Sequence, residues 1–386
     1  MHLDSVFKSR SFSRSPGGSE HFVSVIPSDR ISLTDQIAAV EAGYAEAQQS
    51  LGLDAKSAIF RRLFVSDVMN QAASVHASSL TTDAQGGPVA VSIVQQQPLS
   101  GAKVALLAYH VDGPGPITKQ RVSATSVLVR KNGLRHLWTT QLCTGTDKPA
   151  TAVAAQTHQV FGDLVDVLAS QGGLLRDHCV RTWIYLKGVD IFYQGMVDAR
   201  RELFSQQGLT QETHYLASTG IEGACAHRCD LIAMDAYSIL GLEPAQTAYL
   251  NDFAHLCSPS RYGVTFERGT EISYADRSHC FISGTASIDE VGRVVHPGDV
   301  VRQLDHALGN VEALLRSSSA ALADLMHLTV YLRDPTDFAR INHHLAGCFP
   351  ELPIMVVQGA VCRPEWLVEV EGVAIAAHDR PSLPSF

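Results

Sequence analysis

No apolar run in the chain approaches the ~18 residues that suggest a membrane helix; stretches such as Val104 to Ala108 end after a few residues. Charge is also sparse. Asp, Glu, Lys and Arg supply 18% of the 386 residues, against a usual ~25%, and no run of Lys or Arg forms a stripe for a nucleic-acid backbone. There is no Gly-x-Ser-x-Gly elbow for a serine hydrolase, and Gly220-Ile-Glu-Gly223 lacks the Lys and spacing of a P-loop. The eight cysteines follow no signal-peptide pattern, so free thiols in a reducing cytoplasm are expected. Cys225-Ala-His227-Arg-Cys229 has no second Cys/His pair at finger-like spacing and reads as buried thiols, not a metal site.

What remains is a soluble acidic chain with 30 Lys+Arg against 39 Asp+Glu, a net charge of −9, and 45% apolar residues. That length and composition suggest about two domains, each with its own core. The Ser-rich first twenty residues read as a disordered terminus. A helical pattern near Gln156 to Gln171 leads to a strand ending at Tyr185, and Val300 to Ser317 leads in the same way to Tyr331. Phe192 and Phe338 then open a second helix at the same offset of 146 residues. Each unit closes on a strand, Asp230 to Ala236 and Leu367 to Val373. The expected fold is α+β, built as two related units, 21–245 and 246–386, after a disordered 1–20.

Aligning the closing strands sets Ile232-Ala-Met-Asp235 over Val368-Glu-Val-Glu371, so one unit has Ala where the other has Glu369. Strand alternation puts Leu367, Glu369, Glu371 and Val373 on one face. Tyr193 and Arg200 are seven residues apart and share a face if that segment is helical.

The part from Tyr262 onward resembles the RidA (YjgF) family. Phe281-Ile-Ser-Gly-Thr-Ala-Ser287, Gly298-Asp-Val-Val-Arg-Gln303, Leu328-Thr-Val-Tyr-Leu-Arg-Asp334 and the final Val-Glu-Val-Glu strand carry the likeness. The imine deaminases of that family bind the substrate carboxylate with an Arg shortly after a Pro; here Pro353-Ile-Met355 has Met, which disfavours a deaminase. The whole chain resembles a narrower family, the chorismatases, through Asp190 to Arg200, Ala217 to Gly223, Tyr262 to Gly269, Tyr274-Ala-Asp-Arg277 and Cys362-Arg-Pro-Glu-Trp-Leu-Val-Glu369.

That resemblance implies cleavage of the enolpyruvyl ether of chorismate with release of pyruvate, and no nicotinamide, flavin or metal. It implies Glu369 and Cys362 as catalytic residues, with Glu369 the acid, and Tyr193, Arg200, Tyr215, Arg268 and Ala275 as substrate-binding residues, Cys362 and Ala275 also bearing on product. Enol ether cleavage begins with protonation of a carbon, which calls for a carboxylic acid kept protonated near pH 7 by burial. Cys362 favours 3-hydroxybenzoate, with some 4-hydroxybenzoate; at Ala275 the hydroxybenzoate formers often have Gly. The alternatives are a non-aromatic dihydrodiol product or a non-catalytic binder of small carboxylates. RidA-like domains commonly form trimers, so a homo-oligomer or a monomer is open.

Overall fold

The computed structural model describes residues 5–15, 17–28, 32–83, 85–145, 152–258, 263–318 and 320–386. Three sheets follow one another along the chain. The first unit runs β1 (Ser5–Arg14), β2 (Gly18–Pro27), α1 (Leu33–Ser50), β3 (Ala58–Val65), α2 (Val68–His76), β4 (Ala90–Gln95) and β5 (Val104–Asp112). The second has β6 (Thr118–Ser123), β7 (Ser126–Lys131), β8 (Leu134–Leu142), α3 (Val153–Ser170), α4 (Leu175–His178), β9 (Cys179–Leu186), α5 (Val189–Gln206), β10 (Ala217–Glu222) and β11 (Ile232–Leu240). The third has β12 (Thr247–Tyr249), β13 (Gly269–Ser273), β14 (Arg277–Ala286), α6 (Val300–Arg316), β15 (Leu325–Leu332), α7 (Phe338–Cys348), β16 (Ile354–Gln358) and β17 (Val368–Ala377).

The sheet orders are β1-β2-β5-β3-β4, β6-β7-β8-β11-β9-β10 and β12-β13-β14-β17-β15-β16. In each, a hairpin leads to a helix, two parallel strands flank a second helix, and the last strand inserts between the hairpin and the first parallel strand. The α+β expectation holds, but the two expected units are three. Residues 5–14, expected to be disordered, are strand β1, paired along its length with β2. The third copy escapes the sequence pattern because its second helix, α2, has nine residues where α5 has eighteen.

The units close into a ring. Edge strands β4, β10 and β16 each donate a backbone hydrogen bond to the segment following the next unit's edge strand: Gln95 N to Ala224 O (2.9 Å), Glu222 N to Ala360 O (3.1 Å) and Gln358 N to Gln97 O (2.8 Å). Three equivalent residues bonding to three equivalent acceptors define a pseudo-threefold axis, and the bonds satisfy edges that would otherwise invite foreign strands. Apolar faces of all three sheets meet on the inside, where rings from the three units interlock: Phe60 with Trp138 (4.8 Å between centroids), Trp138 with Tyr237 (4.3 Å) and Tyr237 with Phe281 (5.4 Å). Among the described residues no helix is long and apolar enough to cross a membrane.

Candidate active site

The pocket that matters lies on the seam between the second and third units. Its placement begins with α5. Gly188, at φ +80, turns the chain into the helix, and Glu222 at the end of β10 accepts from Gly188 N (2.9 Å) and Val189 N (2.7 Å). A carboxylate on the first amides of a helix satisfies donors that have no intrahelical partner and suits the helix dipole. So fixed, α5 presents Tyr193 and Arg200, two turns apart, to the pocket, and β10 brings Ser218, Thr219 and Gly220 beside them. Ser218 N donates to Ser283 Oγ (2.9 Å) and Glu267 N to Leu216 O (2.9 Å), stitching β10 to the third unit.

The third unit supplies the opposite wall: Phe266 and Arg268 ahead of β13, Gly284 and Ala286 of β14, Cys362 and Trp366 ahead of β17, and Glu369 on β17. Glu369 is 6% exposed and has no hydrogen-bond partner among the described residues. Burial pushes its carboxyl up to about 8, and the neighbouring Glu371 adds to the rise against the opposing charges of Arg268 and Arg181. A carboxyl in that range is protonated at neutral pH and can act as an acid. Gly284 leaves room for the carboxyl: a Cβ there would collide with Glu369 Oε1 and displace it.

Arg200 is 2% exposed; its Nε donates to Thr265 Oγ1 (3.0 Å), while Nη2 is buried without a partner. A buried guanidinium nitrogen left unsatisfied is costly, and this one lies in the wall of the pocket. Arg268 lies over the Phe266 ring at 5.3 Å and donates from Nη2 to Cys257 O (2.9 Å). Cys362 is hydrogen-bonded to Tyr193, and burial together with Glu369 pushes its thiol up to about 12. It is therefore a neutral thiol in the wall and not a nucleophile. Trp366 is held by a hydrogen bond from Nε1 to Ser287 O (2.9 Å).

Glu369, Cys362, Tyr193, Arg200 and Arg268 thus meet in one pocket. Tyr215 is not among the residues that line it; its ring packs on Phe204 at 6.3 Å, its amide donates to Glu267 Oε1 (2.9 Å), and the half-exposed side chain lies within electrostatic range of Arg200. Ala275 sits in the turn between β13 and β14, bonded to Pro384 O and Arg380 N, at the other end of the hairpin from Arg268, about 20 Å of strand away. Tyr262 lies outside the described residues. Sequence reasoning missed Thr219, Gly284, Ala286 and Trp366 as site residues, though the quoted motifs contain them. Met355, the position compared with the deaminase arginine, pairs with Thr329 on β15 and lines the cleft against the first unit, whereas Thr219, paired with Trp183 on β9, lines the pocket with Glu369.

Away from the pocket, Cys143, Cys225 and Asp230 bring ligand-type atoms within 4.8 Å of one another, without His227 or Cys229. Asp230 accepts from Thr144 Oγ1 and from Gly145 N (2.9 Å), which ties down the chain after β8.

Comparison with known proteins places the third unit in a known class. The family described as Endoribonuclease L-PSP matches residues 273–376. The 3-aminoacrylate deaminase RutC of Acinetobacter baylyi is 34% identical over 96 residues, 24% of this chain and 76% of that protein. A RutC family protein of Pyrococcus abyssi is 35% identical over 97 residues, with the same coverage. The chain belongs to this family through its third unit. Over a much larger span it has the fold of a chorismatase: a crystal structure of that enzyme superposes with a TM-score of 0.61 over 83% of this chain and 93% of the other, at 20% identity.

Proposed function

We propose that the protein cleaves the enolpyruvyl ether of chorismate, releasing pyruvate and a hydroxybenzoate. The observation that carries this reading is a buried, unpartnered carboxyl raised to about 8, facing an arginine with an unpartnered Nη2 across the seam. Glu369 delivers its proton to the terminal methylene carbon, and the resulting carboxylate stabilises the oxocarbenium ion. Water adds at the adjoining oxygen-bearing carbon of that ion, and the resulting hemiketal breaks down to pyruvate and the ring alcohol. Loss of the C4 hydroxyl with the C3 hydrogen then returns one water and leaves 3-hydroxybenzoate, so no net water is consumed. Arg200 binds one substrate carboxylate as a two-pronged donor, Tyr193 orients the ring system, and Arg268 adds positive charge at the pocket wall. These few cations set a local field opposite in sign to the net charge of −9. The product assignment rests on Cys362, since Ala275 stands outside the pocket.

The test is incubation of purified protein with chorismate, enzymatic assay of pyruvate and chromatography of the ring product. Recovery of intact chorismate rejects the reading, and a dihydrodiol in place of hydroxybenzoate rejects the product assignment. The pH profile is a second check. The acid works protonated, so kcat/KM holds below the Glu369 value of about 8 and falls tenfold per pH unit above it. An alkaline limb near the ordinary carboxylate range of about 4 would remove Glu369 as the donor.

A further inference from the structure

The face of β17 that carries Glu369 carries a second carboxylate two residues on, about 7 Å along the strand. Glu371 is 1% exposed and saturated with donors: Arg181 Nη2 at 2.7 Å, Trp183 Nε1 at 2.9 Å, Tyr331 Oη at 2.9 Å and the Thr219 hydroxyl, with the Arg62 guanidinium at 3.8 Å. Arg181 and Trp183 can only donate, so Glu371 meets them as an acceptor. Glu369, beside it, has none of these partners. Arg181 also donates to Thr182 O (2.8 Å) and Ile282 O (3.3 Å).

Strand register shows that this pairing occurs once. The positions facing the last two residues of the central parallel strand's inner row are Ala105 and Leu107 on β5, Ala233 and Asp235 on β11, and Glu369 and Glu371 on β17. Among the three units, a carboxylate at the pocket position coincides with a carboxylate two residues on in the third alone. The anchors Arg181, Trp183 and Thr219 come from the second unit, so the seam that forms the pocket also fixes the neighbouring anion.

We propose that Glu371 is a positioning residue for proton delivery, a fixed anion clamped across the seam that keeps Glu369 in its acid form and sets the alkaline limit of the reaction. The proposal rests on the reading of Glu369 as the proton donor. Glu369 also faces Arg268 from the segment before β13, Arg181 from β9, Arg200 and Tyr193 from α5, and Cys362 from the loop before β17. The cations oppose the effect of Glu371; burial and Glu371 prevail.

Two variants test it: Glu371→Gln, which removes the anion, and Glu371→Gln with Arg181→Gln, which removes the ion pair together and leaves no buried charge unpaired. The readouts are the pH profile of kcat/KM for pyruvate release and a carbon-13 titration of the Glu369 carboxyl, its resonance identified by its loss in Glu369→Gln. In Glu371→Gln both midpoints are expected to fall by about one pH unit or more, cutting kcat/KM about fivefold or more at pH 8 while leaving it within about threefold at pH 5.5. The double variant shifts in the same direction by less, because an opposing cation is removed too. An unmoved Glu369 midpoint in a folded variant overturns the proposal, as does an equal loss of rate at every pH. A midpoint that shifts in a protein without pyruvate release upholds the coupling and rejects the chorismate reading.

Discussion

The seam between the second and third units and the seam between the third and first have one topology and opposite chemistry. At the first, α5 presents Arg200 and β10 presents Ser218, Thr219 and Gly220. At the second, the positions 146 and 136 residues on are Ala346 of α7 and Ile354, Met355 and Val356 of β16. Across the cleft, Gly284 and Ala286 of β14 correspond to Ser24 and Ile26 of β2, and Glu369 corresponds to Ala105. The second cleft is apolar, with Phe338, Leu345 and Phe349 in its wall and its one lining lysine, Lys8, committed to Pro350 O at 2.6 Å. The fold makes a cleft wherever an edge strand meets the next unit; a handful of side chains decides whether it can bind an anion and deliver a proton.

Copying the silent seam into the active one should abolish the difference in steps. Glu369→Gln removes the transferable proton and keeps the shape; pyruvate turnover is expected to fall about a thousandfold, within the range for loss of a general acid. The thermal midpoint should hold or rise, since an unpartnered buried carboxyl is removed. Turnover near wild type would exclude Glu369 from the mechanism. Arg200→Ala, which reproduces Ala346, should cost about a hundredfold in kcat/KM, equivalent to one or two charge-assisted hydrogen bonds. Most of that loss should fall on KM, and Arg200→Lys should recover part of it. A loss confined to kcat with KM unchanged would remove Arg200 from substrate binding.

The parts of this comparison that sequence reveals are those carried within one unit. Tyr185 and Tyr331 at the ends of matching strands, Phe192 and Phe338 at matching helix starts, and Ala233 against Glu369 all follow from local periodicity and a constant offset. Glu369 stands out by that offset, whereas Arg200, Tyr193, Cys362 and Arg268 were singled out through the resemblance to chorismatases, and all five line one pocket. What crosses a seam was not legible. Thr219 faces Glu369 only because β10 bonds to the third unit, and Met355, in the same unit as Glu369, faces the first unit because the ring turns it there. The first unit stayed hidden because α2 is half the length of α5 and β3 carries Arg62 where β9 and β15 carry Trp183 and Thr329. Ala275 was named through the resemblance alone, and such a match does not say which end of a hairpin faces the pocket; here it lies in the turn between β13 and β14.

Smaller effects are expected where a single atom separates the two seams. Gly284→Ser copies Ser24 and forces an atom into the space of Glu369 Oε1. The carboxyl must rotate away from its productive position, so kcat should fall about tenfold or more while the fold loses about 1–3 kcal/mol for overpacking. A folded variant with unchanged kcat would show that Glu369 has freedom the packing does not suggest.

The reverse change, Ala105→Glu, puts a carboxyl at the matching position of the first unit, where Ala105 is fully buried. If an acid at that register were enough, this variant would gain a second site. The reading above predicts otherwise, because the second cleft has no counterpart of Arg200 to hold a carboxylate and no Gly at position 24 to admit the new side chain. Pyruvate release per chain should stay at the wild-type level, and stability should fall by about 2–5 kcal/mol from overpacking and an unsatisfied buried carboxyl. The pair Ala105→Glu with Glu369→Gln sharpens the point: measurable turnover in that double variant would mean that the acid alone defines the site, whereas its absence assigns specificity to the residues contributed from across the seam.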